Sequence, residues 1–123
     1  MTMKICIITG ASSGIGKEAA LSLAQTGGYK VILGCRSLER GMVAKKELEE
    51  QCGHTTHDAM DLIQVDMSLR SSIDRFVDDF TCKYDHFDVL IHNAADFDIR
   101  RTKAEYTEEG SERIWATNFQ GPV

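Results

Sequence analysis

The chain has 123 residues, of which 42% are apolar and 27% charged, with a single proline. This length and composition indicate one small globular domain and exclude a disordered or fibrous protein. The net charge of −5 excludes a general nucleic-acid-binding role, although an acidic protein can still bind one anionic small molecule through local positive groups.

Four short apolar runs predict four β-strands. They cover residues 5–9, 31–33, 62–65 and 89–91, and they are rich in Ile, Val and Leu. Each run is continuous rather than alternating, which is typical of strands that are buried on both faces of a parallel sheet.

The segments between these strands have the apolar periodicity of helices. The predicted apolar stripes are Ile15, Ala19, Ala20, Leu23 and Ala24 in the first helix, Met42, Val43 and Leu48 in the second, and Ile73, Phe76, Val77 and Phe80 in the third. A further helix is predicted through Ile114, Trp115 and Phe119.

The order of elements is therefore βαβαβαβ followed by a helix. Strict alternation implies right-handed crossovers and an α/β fold, a doubly wound parallel sheet with helices on both faces. No linker interrupts residues 1–123, so we predict a single domain. Because the sequence stops after the fourth strand and its helix, we expect the sheet to be incomplete and the chain to be the amino-terminal portion of a longer domain.

A glycine-rich loop follows the first strand and runs directly into the first helix. Gly10, Gly14 and Gly16 form a G-x-x-x-G-x-G pattern, whose bare backbone and helix amides suit a pyrophosphate. A Walker A loop is excluded, because five residues separate Gly10 from Gly16 and Glu18 follows Lys17. The alternative to a phosphate-binding loop is a glycine-rich turn whose only role is to pack the first helix against the first strand.

Several motifs in this order resemble the short-chain dehydrogenase/reductase family. They are TGASSGIG after the first strand, Val65-Asp66 after the third, HNAA (92–95) after the fourth, and Asn118 within WATNFQGPV. The match spans essentially the whole chain and corresponds to the amino-terminal half of a typical member, which has a Rossmann-type fold. The stretch GCRSLER looks most similar to the retinol dehydrogenase and carbonyl reductase branch.

The resemblance implies a binding site for a nicotinamide dinucleotide. Carried over to this chain, the cofactor-binding residues are Gly10, Ser12, Ser13, Gly14, Ile15, Gly16, Arg36, Arg40, Asp66, Met67, Asn93, Ala94 and Ala95. Asp66 would bind the adenine amino group, while its alternative role is the N-cap of the third helix. Ala95 replaces the last glycine of the family's N-N-A-G motif, and we expect this change to be tolerated.

The end of the second strand indicates which nicotinamide cofactor is preferred. Cys35 stands at the position where the resembled family places an acidic residue for NAD, and Arg36 follows it. A guanidinium group pairs with a 2′-phosphate, so NADP(H) is favoured over NAD(H). The alternative is an exposed helix start, with Ser37 as N-cap and both Arg36 and Arg40 in solvent.

Catalysis in the resembled family depends on an Asn, a Ser and a Tyr with a Lys four residues later, and Asn118 matches the first. Pro122 has no N–H for a carbonyl four residues back, so the Asn118 carbonyl could hold a proton-relay water. The alternative is a proline that only ends or kinks the helix.

None of the tyrosines at positions 29, 84 and 106 has a lysine four residues later. The expected function is an NADP(H)-dependent oxidoreductase acting on a small carbonyl or alcohol substrate, with its acid/base group outside the given residues. The alternatives are a non-catalytic dinucleotide-binding module, and an isomerase or dehydratase relative.

The four cysteines are widely spaced, which excludes a disulfide framework and favours a reducing interior. The apolar stretch near the amino terminus is too short for a signal peptide or a membrane span, so we expect a cytoplasmic protein. Cys52, His54, His57 and Asp61 match no zinc spacing, and we predict no metal. A homo-oligomer is possible.

Overall fold

The computed structural model describes residues 3–53, 59–95 and 103–123. Its strands are β1 (Lys4–Thr9), β2 (Tyr29–Cys35), β3 (Met60–Gln64) and β4 (Val89–Ile91). Its helices are α1 (Gly14–Thr26), α2 (Leu38–Cys52), α3 (Arg70–Lys83) and α4 (Arg113–Trp115), and α4 continues into a π-helical turn (Ala116–Gln120).

The four strands form one parallel sheet in the order β3-β2-β1-β4. The predicted doubly wound parallel sheet is therefore confirmed. The chain proceeds outward from β1 to β3 and then crosses back to place β4 on the other side of β1. This reversal of strand order creates a crevice at the carboxyl ends of β1 and β4, where ligands of such sheets bind.

Alternate residues of the strands build a separate apolar core on each face of the sheet. Cys6, Ile8 and Leu33 belong to the cluster that also contains Ala20 of α1 and Leu48 of α2. On the opposite face, Ile5, Ile7, Ile32 and Ile63 form a cluster with Phe80 of α3. Helices therefore cover both faces of the sheet, which explains why the strands read as continuous apolar runs.

The residues that α1 and α2 bury match the predicted stripes in part: Ala20, Ala24 and Leu48 are buried as predicted. In α1 the buried residues are Gly16, Ala20 and Ala24, whereas Ile15 is 82% exposed. In α2 the buried residues are Gly41, Ala44 and Leu48, whereas Met42 and Val43 are more than half exposed. A Cβ on Gly41 would lie 2.7 Å from the Leu62 side chain. The helices approach the sheet through small residues, so the large apolar side chains of Ile15, Met42 and Val43 were wrongly assigned to the buried face.

The third predicted stripe is partly correct. Phe80 is buried, but Val77 is about half exposed. Phe80 stacks on Phe76 and on Tyr84, with ring centroids 6.2 and 5.1 Å apart. Phe80, with Phe76 and Tyr84 packed against it, therefore joins α3 to the apolar core on this face of the sheet.

Strand β4 and the last helix also differ from expectation. Val89 and Leu90 are 37% and 40% exposed, and β4 pairs only with β1 among the described residues. The last helix is α-helical only over Arg113–Trp115, and the N–H of Gly121 then donates to the Ala116 carbonyl five residues back, at 2.8 Å. No helix within residues 3–53, 59–95 and 103–123 is long and apolar enough to cross a membrane.

Candidate functional site

The glycine loop between β1 and α1 contains two backbone conformations that favour glycine. Gly10 has φ +66° and Gly14 has φ +58°, a region that residues with a Cβ adopt at a cost. Ser13 is the N-cap of α1, but its side chain makes no cap hydrogen bond. The Ser13 hydroxyl therefore does not occupy the N–H groups of the first helical turn, which can bind an anion.

The glycine loop lies directly against the segment that follows β4. A Cβ on Gly10 would be 2.8 Å from the Cα of Ala94, and one on Gly16 would be 2.5 Å from both the Gly10 carbonyl oxygen and the Asn93 side-chain nitrogen. The Asn93 amide donates a hydrogen bond of 3.0 Å to that same Gly10 oxygen. Two of the predicted motifs are thus in direct contact, and the glycines are what allow it.

Thr9 holds these two segments together and was not predicted as a site residue. Its buried Oγ1 accepts hydrogen bonds of 3.1 Å from the backbone N–H groups of both Asn93 and Ala94. The same hydroxyl group donates to the Ile91 carbonyl at 3.4 Å. A threonine that ends a buried strand is the sequence signal that could have indicated this role, since a buried hydroxyl needs partners.

A cleft of about 360 Å³ opens at the carboxyl ends of the strands. All but three of the predicted cofactor-binding residues line it: Gly10, Ser12, Ser13, Arg36, Arg40, Asp66, Met67, Asn93, Ala94 and Ala95. Ser37, Val65 and Thr117 complete the lining and were not predicted. Gly14, Ile15 and Gly16 are not in the lining; they form the start of α1 beside it.

The end of β2 brings cationic side chains to the cleft and no carboxylate. Cys35 is buried, and burial raises the pKa of its thiol to about 11, so the thiol is neutral at physiological pH. Arg36 and Arg40 are exposed. The predicted N-cap is confirmed, because the Ser37 Oγ accepts a 3.2 Å hydrogen bond from the Arg40 N–H. The cap and the exposed arginines are compatible with a role in binding.

Asp66 does not act as the N-cap of α3, so that alternative is wrong. The N-cap is Leu69, because the helix begins at Arg70. The Asp66 Oδ1 instead accepts hydrogen bonds from the N–H and the hydroxyl of Ser68, at 2.9 and 2.6 Å. The backbone N–H of Asp66 donates to the Ser72 hydroxyl at 2.8 Å. These bonds close a turn that fixes the Asp66 carboxylate at the edge of the cleft.

Asn118 lies in the π-helical turn and its side chain is exposed. Its neighbour Thr117 lines the cleft, whereas Asn118 does not. The catalytic role of Asn118 and the water relay on its carbonyl therefore stay predictions. His54 and His57 lie outside the described residues, and the part of the chain that is described contains no cluster of metal-ligating side chains.

Comparison with protein families and curated proteins gives one consistent result. Residues 4–123 match the family model described as short chain dehydrogenase. The chain is 36% identical over 113 residues to the short chain dehydrogenase rstn4 of Aspergillus nomiae, covering 92% of this chain and 29% of that protein. It is also 36% identical over 118 residues to retinol dehydrogenase 13 of Mus musculus, covering 96% of this chain and 33% of that protein. The chain thus spans about a third of the length of these relatives.

Solved structures agree with the sequence comparison. An alcohol dehydrogenase from the archaeon Thermococcus sibiricus, complexed with 5-hydroxy-NADP, superimposes with a TM-score of 0.76 at 31% identity, covering 98% of this chain and 48% of that chain. A menthone neomenthol reductase from Mentha piperita superimposes with a TM-score of 0.73 at 32% identity, covering 78% of this chain and 33% of that chain. Together with the glycine loop and the sheet topology, these matches show that the chain belongs to the short-chain dehydrogenase family and is related to its retinol dehydrogenase branch.

Proposed function

We propose that this chain forms the cofactor-binding half of an NADP(H)-dependent oxidoreductase that interconverts a carbonyl and an alcohol. One observation carries the proposal. A single cleft is lined by the glycine loop, by Arg36 and Arg40 after β2, and by residues 66–67 and 93–95 after the next two strands. These are the elements that bind a dinucleotide at the reversal point of a doubly wound sheet.

The residues present fit a dinucleotide. A Cβ on Gly14 would meet nothing within 4 Å, so space remains above the loop at a backbone conformation that glycine favours. The neutral Cys35 thiol puts no negative charge at the end of β2, and both Arg36 and Arg40 line the cleft. Both features favour a cofactor with a 2′-phosphate. The bound 5-hydroxy-NADP in the archaeal alcohol dehydrogenase supports the same choice.

The residues of the cleft divide the work of binding. The amides of the glycine loop would bind the pyrophosphate. Arg36 and Arg40 would bind the 2′-phosphate, and the Asp66 carboxylate would accept a hydrogen bond from the adenine amino group. Ser68 donates two hydrogen bonds to Asp66 Oδ1, which orients the carboxylate before the cofactor arrives. A bound nicotinamide supplies the hydride. Asn118 would contribute from the π-helical turn to the proton transfer that accompanies hydride transfer.

The direct test is to titrate the chain with NADPH and, separately, with NADH. The fluorescence of the nicotinamide ring measures binding in both titrations. We expect NADPH to bind at least tenfold more tightly than NADH. Equal affinities would contradict the NADP preference, and the absence of binding by either nucleotide would contradict the proposed function.

The alternative is a dinucleotide-binding module without chemistry, which the three tyrosines without a Tyr-x-x-x-Lys pattern leave open. Turnover distinguishes the two functions. The protein encoded by the complete gene should oxidise NADPH in the presence of aldehydes or ketones if it is an enzyme. It should bind NADPH without turnover if it is a module.

A further inference from the structure

A second cleft of about 630 Å³ adjoins the cofactor cleft between α1 and α2. The two clefts share four lining residues: Ser12, Ser13, Ser37 and Arg40. Three hydroxyl groups and one guanidinium group thus surround the passage between the clefts. This is the edge at which the proposed function places a 2′-phosphate, so the inference below depends on that function.

The wall of the second cleft carries a cation that the sequence analysis did not assign. Lys17, in the first turn and a half of α1, forms an ion pair with Glu47 of α2, and both side chains line the cleft. The two side chains are 24% and 49% exposed, so the pair is partly hydrated. The Lys17 ammonium group therefore belongs to the cleft that adjoins the phosphate edge, and it is paired with a carboxylate.

We infer that Lys17 is a second cation of the 2′-phosphate subsite and that Glu47 sets the preference between NADPH and NADH by competing for it. A phosphate monoester carries about −1.5 to −2 charges at neutral pH. It attracts the Lys17 ammonium group and is repelled by the Glu47 carboxylate. NADH lacks this phosphate, so the ion pair affects the binding of one cofactor and leaves the other unchanged.

The expected effect is moderate because the pair is partly exposed. Exposed ion pairs contribute little in water and are screened by salt. Neutralising Glu47 should therefore tighten NADPH binding by about threefold to tenfold in dilute buffer, and the effect should shrink as the salt concentration rises.

Helix α2 provides a matched control. Glu49 lies two residues beyond Glu47 and pairs with Lys45 of the same helix at 2.5 Å, and neither residue lines the second cleft. Glu47→Gln and Glu49→Gln make the same change in net charge on the same helix. We expect Glu47→Gln to lower the dissociation constant for NADPH and not that for NADH. We expect Glu49→Gln to leave both constants near the wild-type values.

A double-mutant cycle tests whether the effect acts through Lys17. Lys17→Met should weaken NADPH binding severalfold with little change for NADH. Adding Glu47→Gln to Lys17→Met should tighten NADPH binding less than Glu47→Gln does alone, because only the direct repulsion of the phosphate by Glu47 is then removed. Melting curves of each variant check that the fold is retained. Equal responses of Glu47→Gln and Glu49→Gln, or an equal gain for NADH, would overturn the inference while leaving the proposed function intact. If the wild-type chain binds no NADPH, both fail together.

Discussion

The side-chain amide of Asn93 donates a 3.0 Å hydrogen bond to the carbonyl oxygen of Gly10, which lies 83 residues earlier in the chain. This bond connects the loop after β4 to the loop after β1, on either side of the point where the strand order reverses. The contact lies partly away from solvent, so the carbonyl would lose its partner without gaining full hydration if the amide were removed. Asn93 therefore supports the glycine loop in addition to lining the cleft.

Asn93→Ala should destabilise the protein by about 1–2 kcal/mol, because a part-buried carbonyl is left without its donor. Urea unfolding followed by circular dichroism measures this change. Gln25→Ala is a suitable control, since Gln25 is an exposed amide side chain on α1. A loss for Asn93→Ala no larger than for the control would show that the hydrogen bond contributes no stability.

Gly16→Ala should destabilise the loop by overpacking. The added methyl group would lie 2.5 Å from the Gly10 oxygen, a backbone atom that cannot move aside without shifting the loop. We expect a cost of about 1–3 kcal/mol and weaker nucleotide binding. Gly28→Ala is the matched variant, because nothing lies within 4 Å of a Cβ at that position. If both variants melt at the same temperature, the loop tolerates the methyl group and the close contact is not required.

Arg36→Ala should raise the dissociation constant for NADPH tenfold or more, which corresponds to about 1.4 kcal/mol or above, and leave NADH binding unchanged. The reason is that only NADPH carries the phosphate that a guanidinium group binds. Fluorescence titration with each nucleotide measures the ratio. Arg75→Ala, on the exposed face of α3, removes the same charge away from the cleft. A similar loss for both nucleotides would assign Arg36 a structural role instead.

Glu109 caps the amino-terminal end of α3 from a distant part of the chain. Its two carboxylate oxygens accept hydrogen bonds from the N–H groups of Arg70 and Ser71, at 2.6 and 2.9 Å. The hydrogen bonds from the Ser71 and Arg70 backbone lower the pKa of Glu109 below its ordinary value. This cap was not predicted, because nothing local in the sequence connects residue 109 to residues 70–71.

A lowered pKa in the folded state makes the contribution of Glu109 depend on pH. The stabilisation is present above the pKa of the unfolded chain, about 4.3, and is lost as the pH falls through the lower pKa of the folded state. Glu109→Gln should therefore melt a few degrees below the wild type at pH 7, and this difference should shrink below about pH 4. Thermal melts between pH 3 and 7 test this, with the exposed neighbour Glu108→Gln as control. A difference that stays constant across this range would exclude the carboxylate as its source.

The sequence was sufficient for the features that depend on local pattern. The four strands, the parallel doubly wound sheet and the Ser37 cap were all predicted from apolar runs, glycines and a serine before a helix. Most of the predicted cofactor-binding residues line one cleft for the same reason, since parallel strands end at one edge of the sheet.

Close packing and contacts between residues far apart in the chain were not predictable from local sequence patterns. The predicted burial of Met42 and Val43 in α2 was wrong, because Gly41 and Ala44 pack against the sheet more closely than large side chains can. The bonds of Thr9 to residues 93–94 and the Lys17–Glu47 pair join residues far apart in the chain. No periodicity or short motif reports such contacts, whereas the three-dimensional structure does.

Among the described residues strand β4 pairs on one side only, with β1, and it presents an apolar face, which predicts self-association of this chain. Phe87, Val89 and Leu90 are 48%, 37% and 40% exposed. Leu90 and Phe87 also line an apolar groove of about 600 Å³ between α3 and the sheet. Unpaired N–H and C=O groups along a strand edge pair readily with another chain, and the adjoining apolar surface favours contact.

Sedimentation velocity at micromolar concentrations should therefore show dimers or larger species of the 123-residue chain. Leu90→Lys should increase the monomer fraction, because a charge on the exposed face of β4 must be desolvated in any contact that covers it. Met42→Lys places the same charge on an exposed apolar position of α2, on the opposite face of the sheet, and should leave the distribution unchanged. A monodisperse wild-type monomer would contradict this prediction. It would show that pairing with β1 and hydration of the other edge of β4 are sufficient to prevent association between chains. If Met42→Lys dissociates the chain as well as Leu90→Lys does, then general charge repulsion rather than the β4 face controls the association.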